Sequence, residues 1–286
     1  KGEGDEEIAK SLEEQGIIKN NYFFRLYTII SGNDSKLQAG KYSLSSKMTM
    51  PEIIRKFVLG DIIRQKITII EGWTVKDIEK YFVDEKISSA EDFKKALNKD
   101  YSNEFNFLNG ISVEGYLFPD TYNISLGEKA EDIVKLIFSN FNKKLNAGLR
   151  EQITSQNKTV FEVITMASII EKEVKTMDDK KIVAGILWKR LEADMPLQVD
   201  STINYITNKD HPGVAIKDTK IDSPYNTYKY KGLPPHPIAN PGIDAINAVL
   251  FPEKTDCIYY LHDYSRQIHC AVTYKEHLEN IKKYLN

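Results

Sequence analysis

The chain has 286 residues, 41% of them hydrophobic and 28% charged, which is the balance of a globular protein of about two domains. A net charge of −2 leaves no electrostatic footprint for nucleic acid, and no Lys/Arg run marks a membrane surface. No stretch approaches the roughly 20 apolar residues of a membrane span. The chain starts without Met, at KGEGDEE, and reads as part of something longer, so the lack of a signal peptide excludes little.

In the first hundred residues an acidic residue and Ile are followed, four positions after the Ile, by Leu or Phe. The pattern occurs at Glu7-Ile8 with Leu12, Glu52-Ile53 with Phe57, and Asp77-Ile78 with Phe82. Each predicts a helix, starting near Gly4 or Asp5, at Thr49 and at Thr74, where Thr and Asp cap the first free N–H groups. Gly16 and Gly60 are placed as stops. Strand-like runs cover 40–45 and 64–70, so 40–70 reads strand–helix–strand, too short to bury a large core alone. A helix follows over 88–98 with Ala90, Phe93 and Leu97 on one side. Residues 113–122, VEGYLFPDTY, read as a loop or strand end, because Pro119 ends any helix and Gly115 loosens the backbone. They carry Glu114 and Asp120 among three aromatics, a composition suited to a sugar cleft and equally to a buried aromatic corner. Residues 126–146 read as a helix, joined across 148–158 to the next.

That next stretch, 159–176, reads TVFEVITMASIIEKEVKT. Val160, Ile164, Ala167, Glu171 and Val174 follow at helical spacings, putting one carboxylate on an apolar stripe. Withdrawal from water disfavours the charged form and raises a carboxylate's pKa, as a general acid near neutral pH requires. The bland alternative leaves Glu171 pointing into solvent at the end of the stripe. Glu173 is a second candidate and Glu162 a weaker third. A helix over 180–193, capped by Asp178 or Asp179, packs Val183, Ile186, Leu187 and Leu191 against the first. Residues 195–205, MPLQVDSTINY, are dense in polar groups. Residues 223–242, SPYNTYKYKGLPPHPIANPG, are too rich in breakers for regular structure and read as a binding loop. A short helix over 243–250 precedes strands over 257–261 and 268–273, joined by a polar turn at 262–267, and a helix over 274–284 ends the chain. Cys257 and Cys270 lie on those two strands, and two unpaired thiols are expected rather than a disulfide.

His211, His236, His262, His269 and His277 show no metal-ligand spacing, and there is no CxxC, so neither a metal nor a cofactor is expected. No nucleophile elbow, P-loop or dinucleotide fingerprint occurs. What remains is carboxylates, aromatics and amides, the inventory of glycan chemistry. Two-carboxylate hydrolysis would pair Glu171 with Asp200, Glu114 or Asp120.

Five blocks carry a resemblance: LQAGKYSLSSKMTMPEIIRKFVLG followed by KITIIEGWTVKDI, then VEGYLFPDTY, ASIIEKEV, LQVDSTINY and SPYNTYKYKGLPPHPIANPG. In these blocks, and in their order, the chain resembles the YceG-like endolytic murein transglycosylases, the MltG family. The likeness spans nearly the whole chain. It implies an α+β fold with a small LysM-like N-terminal strand–helix module at 1–72 that contacts glycan. A mixed α/β catalytic domain follows at 73–286, of which 73–110 is expected to pack as a linking subdomain. The family's catalytic acid is the first Glu of its EKE triplet, here Glu171. Glu114, Tyr122, Gln198, Asp200, Thr202, Asn226 and Tyr228 are the expected substrate-binding groups. The implied reaction is non-hydrolytic cleavage between N-acetylmuramic acid and N-acetylglucosamine, leaving 1,6-anhydro ends; a scaffold that binds glycan without cleaving it is the competing reading. Implied partners are peptidoglycan strands and cell-wall synthases, with no nucleic acid. The implied location is the outer side of the cell membrane, on an N-terminal helix that this chain lacks. Two departures stand out. His236 occupies the position where the family commonly has Gly after its GLPP, and Ile268, not His269, aligns with a family His, so His269 carries no assigned role.

Overall fold

The computed structural model describes residues 4–108, 112–209 and 213–285; His211 lies outside the described residues. Helices α1 (Asp5–Glu14), α2 (Asn21–Ile30) and α3 (Met50–Leu59) enclose a first core of Ala9, Leu12, Ile18, Phe24, Ile53, Ile54 and Phe57. The repeated acid–Ile pattern thus forms helices where expected. Thr49 and Glu52 close a reciprocal capping box at the start of α3, and Gly60, at φ 63°, ends it in the left-handed region.

The strand expected over 40–45 does not form: these residues join no sheet and are tied by a bond from Ile63 N to Lys41 O, 2.8 Å. The second strand of that unit does form, as β1 (Arg64–Thr68), but its partner lies far along the chain. It pairs antiparallel with β2 (Thr121–Ser125), from Arg64 opposite Ser125 to Thr68 opposite Thr121. The period-two burial explains the choice. Ile67, with Ile69 just beyond the strand, and Tyr122 and Ile124 across from them all point inward, so this ribbon belongs to a second, larger core. The two cores divide between Phe57 and Ile67.

Helices α4 (Val75–Asp84), α5 (Ala90–Leu97), α6 (Ala130–Lys144) and α7 (Ala147–Ser155) cover one side of that core. The connector expected over 148–158 is therefore largely α7. At the centre runs α8 (Val160–Glu173), against which α7, α9 (Met177–Glu192), α10 (Asp200–Thr207) and α11 (Ile243–Leu250) pack. Every residue from Val163 to Ile170 is buried, so the helix is sheathed all round and not only along the expected stripe. Each large aliphatic side chain there gains about 1.5–3 kcal/mol from leaving water. Ser168, a polar member of that run, is satisfied in place: its Oγ donates to Thr165 O and accepts from Ile238 N. Glu162, the weakest catalytic candidate, is a cap, accepting from Thr159 N at 2.7 Å.

The chain ends in the expected hairpin, β3 (Tyr259–His262) with β4 (Ile268–Ala271), and α12 (Tyr274–Tyr284) packed on both strands. Here the thiol expectation is corrected: Cys257 and Cys270 form a disulfide, with Cα atoms 5.8 Å apart. Cys257 lies just before β3, and the bond from Ile258 N to Ala271 O holds that lead-in segment against β4, which carries Cys270. In the turn, Asp263 accepts from the His269 ring at 2.9 Å, and that ring stacks on Tyr284, so His269 fastens the hairpin to α12. The His269 contact and the turn N–H groups hold the Asp263 carboxyl down at about 2. Replacing both cysteines by Ser is expected to lower stability by up to about 3 kcal/mol, the loop-closure value for a short loop. Urea unfolding of the oxidised protein against the double variant measures it; an unchanged midpoint would mean that the hairpin holds without its bond.

Candidate active site

Glu171 sits in the last turn of α8, and what happens immediately after it determines its surroundings. Val174 turns to an extended conformation, φ −141° and ψ 153°, and Thr176 caps a new helix by accepting from Asp179 N. Helix α9 thus begins three residues earlier than the expected 180, and its first turn brings Lys180 back to Glu171. Lys180 Nζ donates to Glu171 Oε1 at 2.8 Å, with side-chain exposures of 4% and 8%. The other oxygen, Oε2, accepts from Gly242 N at 3.0 Å. Glu171 is therefore withdrawn from water, as the stripe predicts, but beside a cation as well as oily neighbours. Two donors from different elements fix its orientation.

The segment after β1 reaches the same place. Glu71 lies against Gly242 so closely that a Cβ built there would fall 1.9 Å from Glu71 Oε1 and 2.3 Å from its Cδ. Gly242 has an ordinary φ of −75°, and its missing side chain leaves the space that the end of the exposed Glu71 side chain occupies. Burial, and then the charge of Glu171, push the Glu71 carboxyl above its ordinary range. Gly72, at φ 78°, follows beside the Glu171 side chain. Asn240, fully buried, stitches the surrounding loops together. Its N and Nδ2 donate to Trp73 O, its O accepts from Gly72 N, and its Oδ1 accepts from Leu117 N. Its Nδ2 also reaches Glu114 Oε1 at 3.2 Å.

Glu114 is buried and accepts from Val75 N with both oxygens at 3.1 Å. Burial pushes its carboxyl up to about 7, against the lowering effect of the Val75 bond. It thus caps α4 and braces Asn240, which places it behind the Glu171 site. Gly115, at φ 91°, lets Pro237 of the breaker-rich loop pack directly on this block; a Cβ there would meet Pro237 at 2.5 Å.

A second group gathers on the other side of the EKE triplet. Glu173 accepts from Ser201 N at 3.0 Å and from the Tyr260 hydroxyl at 3.3 Å, and burial pushes its carboxyl up. Next to it the Tyr228 hydroxyl donates to Asp200 Oδ1 at 2.5 Å. Of the expected binding groups, Asp200 and Tyr228 therefore sit together, with Glu173. Thr202 and Asn226 are occupied in holding the loops, whereas Gln198 ties the loop through its backbone alone and its side chain is exposed. Gln198, at φ 52°, donates its N–H to Thr227 O; Thr202 Oγ1 pairs with Thr227 Oγ1; Asn226 Nδ2 bonds Thr219 O and Ile221 O. Tyr122 lies in the core, its hydroxyl donating to Phe118 O at 2.5 Å. Asp120 bonds Asn140 and Lys144 at 3.0 Å each. His236 packs edge-on to Phe161.

Sequence reasoning missed Glu71, Lys180, Asn240 and Gly242. Only Lys180 left a usable sign, a lone Lys on the inner side of the helix predicted after Glu171.

The YceG-like family matches residues 1–283. The endolytic murein transglycosylase of Bacillus subtilis is 34% identical over 98% of this chain and 81% of its own length. Its namesake in Streptococcus pneumoniae is 29% identical over the whole chain, which spans 57% of that relative. A crystal structure of a putative yceG-like protein from Listeria monocytogenes superposes with a TM-score of 0.69 at 31% identity, covering 97% of this chain and 96% of that one.

Proposed function

The chain belongs to the YceG-like family, and on that premise we propose that it is an endolytic murein transglycosylase, a lytic enzyme that cuts within peptidoglycan strands. The relatives' names support the reaction class. The observation that carries the choice of residue is Glu171 itself, a nearly buried carboxylate oriented by Lys180 and Gly242 N–H and flanked by the side-chain-free Gly72 and Gly242. Glu173 is the weaker candidate because it lies among Ser201, Tyr260 and Asp200 and not, like Glu171, beside the side-chain-free Gly72 and Gly242.

In the proposed reaction Glu171, protonated, donates to the glycosidic oxygen as the bond from the muramic C1 breaks, freeing the N-acetylglucosamine hydroxyl. The resulting carboxylate, to which Lys180 turns its charge, takes the proton of the muramic C6 hydroxyl. That oxygen closes on C1 and leaves a 1,6-anhydro end. One residue serves as acid and then as base because the nucleophile belongs to the substrate. Holding the C6 oxygen over C1 gives the step its intramolecular advantage. Asp200, Tyr228 and the exposed Gln198 side chain, all near the EKE triplet, are the groups assigned to sugar hydroxyls or acetamido groups, while Glu114, Thr202 and Asn226 hold the surrounding loops.

The first core, with its three helices, is the proposed LysM-like glycan-binding module; the expected boundary at 72 takes in β1, whose Ile67 packs in the larger core. The disulfide suits an oxidising compartment outside the cytoplasm. Membrane attachment through a preceding segment, and work alongside cell-wall synthases, complete the reading; among the described residues no helix is long and apolar enough to cross a membrane. Incubation with uncrosslinked glycan strands, with the new ends weighed by mass spectrometry, tests it. Anhydro ends are expected. Ends heavier by one water would mean a hydrolase, and intact strands a binding scaffold.

A further inference from the structure

Helix α11 begins one residue after Gly242, whose N–H holds Glu171, and it leads away from that carboxyl. Ile243 and Asn247 share one face of it, four residues apart, and Phe251 follows at its end. Opposite them stand Lys143 from the end of α6 and Leu149 and Gln152 from α7, and the groove between encloses about 500 Å³. That volume falls within the range of small-ligand sites, about 300–1,000 Å³. We propose that this groove binds the short peptide carried by the muramic residue, through its carboxylate and peptide groups, so that strands bearing stem peptides are preferred. The proposal goes beyond the cleavage chemistry and rests on the murein reading for its ligand.

The chemistry of the groove selects that ligand. Ile243, Leu149 and Phe251 line it with apolar surface, and Phe251 is 48% exposed. Lys143 is exposed, and its ammonium has no partner among the described residues. The side-chain amides of Gln152 and Asn247 likewise pair with no described residue. Lys144, also on the wall, is held by Asp120 at 3.0 Å and lies over the Phe118 ring, which leaves Lys143 to carry the available charge. An ammonium suits a carboxylate, and a primary amide, donor on one side and acceptor on the other, suits a peptide group. A small inorganic anion would satisfy Lys143 but leave the apolar surface and both amides uncovered. The reach also fits. The eight residues of α11 span about 12 Å, and an extended peptide of about five residues spans up to about 17 Å. A stem whose muramic sugar lies at Glu171 therefore reaches along the groove.

The test compares glycan strands that carry stem peptides with strands stripped of them by an amidase. Contacts remote from the broken bond act mainly on KM, so kcat/KM should be about tenfold higher on the peptide-bearing strands, most of it through KM. Lys143→Gln should shrink that preference to about threefold and Lys143→Glu should abolish it. Lys143 is exposed and unpaired among the described residues, so neither variant threatens the fold. Equal cleavage of the two strands by the unaltered chain, or an undiminished preference in Lys143→Glu, overturns the proposal and leaves Glu171 as the catalytic group. A second readout does not need turnover: a soluble muramyl pentapeptide, added to nitrogen-15-labelled protein, should shift the side-chain amide signals of Gln152 and Asn247. The shifts should vanish in Lys143→Glu. Signals unmoved by millimolar peptide overturn the site even in a chain that cleaves nothing; signals that move while no strand is cut uphold the site and overturn the lytic reading instead.

Discussion

Replacing Glu171 by Gln is expected to abolish strand cleavage while leaving glycan binding in place. Gln keeps the length and the planar end of the side chain but can neither give nor take a proton at neutral pH. A single acid–base group contributes about 10²–10⁴-fold, and here one residue would serve both half-reactions, so the loss should reach or exceed the upper figure. The substituted amide cannot satisfy both neighbours. Its oxygen can accept from Lys180 or from Gly242 N–H, and its nitrogen then faces the remaining donor. A modest stability loss should accompany the loss of activity, and thermal unfolding separates the two. Glu173→Gln is the control, because Glu173 lies among Ser201, Tyr260 and Asp200 and not beside Lys180. Retained cleavage in Glu171→Gln together with loss in Glu173→Gln would transfer the role to the second glutamate of the triplet.

The largest stability effect is expected at Lys180→Met. Its ammonium and the Glu171 carboxylate are both nearly buried, so removing one leaves the other enclosed without its counter-charge. Breaking such a pair costs about 3–5 kcal/mol, far beyond the value of an exposed ion pair. Removing both partners, as Lys180→Met with Glu171→Leu, should recover much of the loss, because no charge is then stranded. Urea unfolding of the two single variants and the double variant closes the cycle. A loss below about 1 kcal/mol in Lys180→Met would mean that water reaches the pair.

The parts of this site legible in the sequence were those set by local rules. Thr49, Thr74 and Thr159 begin helices because a hydroxyl followed three residues on by a carboxylate satisfies free N–H groups, and such caps need no tertiary information. The apolar run through Ile169 and Ile170 announced a buried helix, and its terminal carboxylate was visible on it. What surrounds that carboxylate was not legible. Lys180 meets Glu171 because three residues, 174–176, leave the helix and restart it, a reversal that helical periodicity does not encode. Glu71 and Gly242 meet across the whole length of the larger core. The strand expected at 40–45 had the right composition but lacked a partner, since β1 turned its apolar face to Tyr122 and Ile124. That same register drew Tyr122 inward, where its hydroxyl bonds the backbone. The two cysteines were visible on runs expected to pair, yet Cys257 falls just before β3, and it is the path of that lead-in segment against β4, not the strand register, that puts it beside Cys270.

The most direct measurement is a crystal structure of Glu171→Gln with an uncleaved glycan strand bound. The bridging oxygen between muramic acid and glucosamine should lie about 3 Å from the side chain at position 171, with the muramic C6 hydroxyl on the same side. A strand whose bridging oxygen lies instead over Glu173 and Asp200, or one that passes Glu171 only at the level of Glu71, would contradict it.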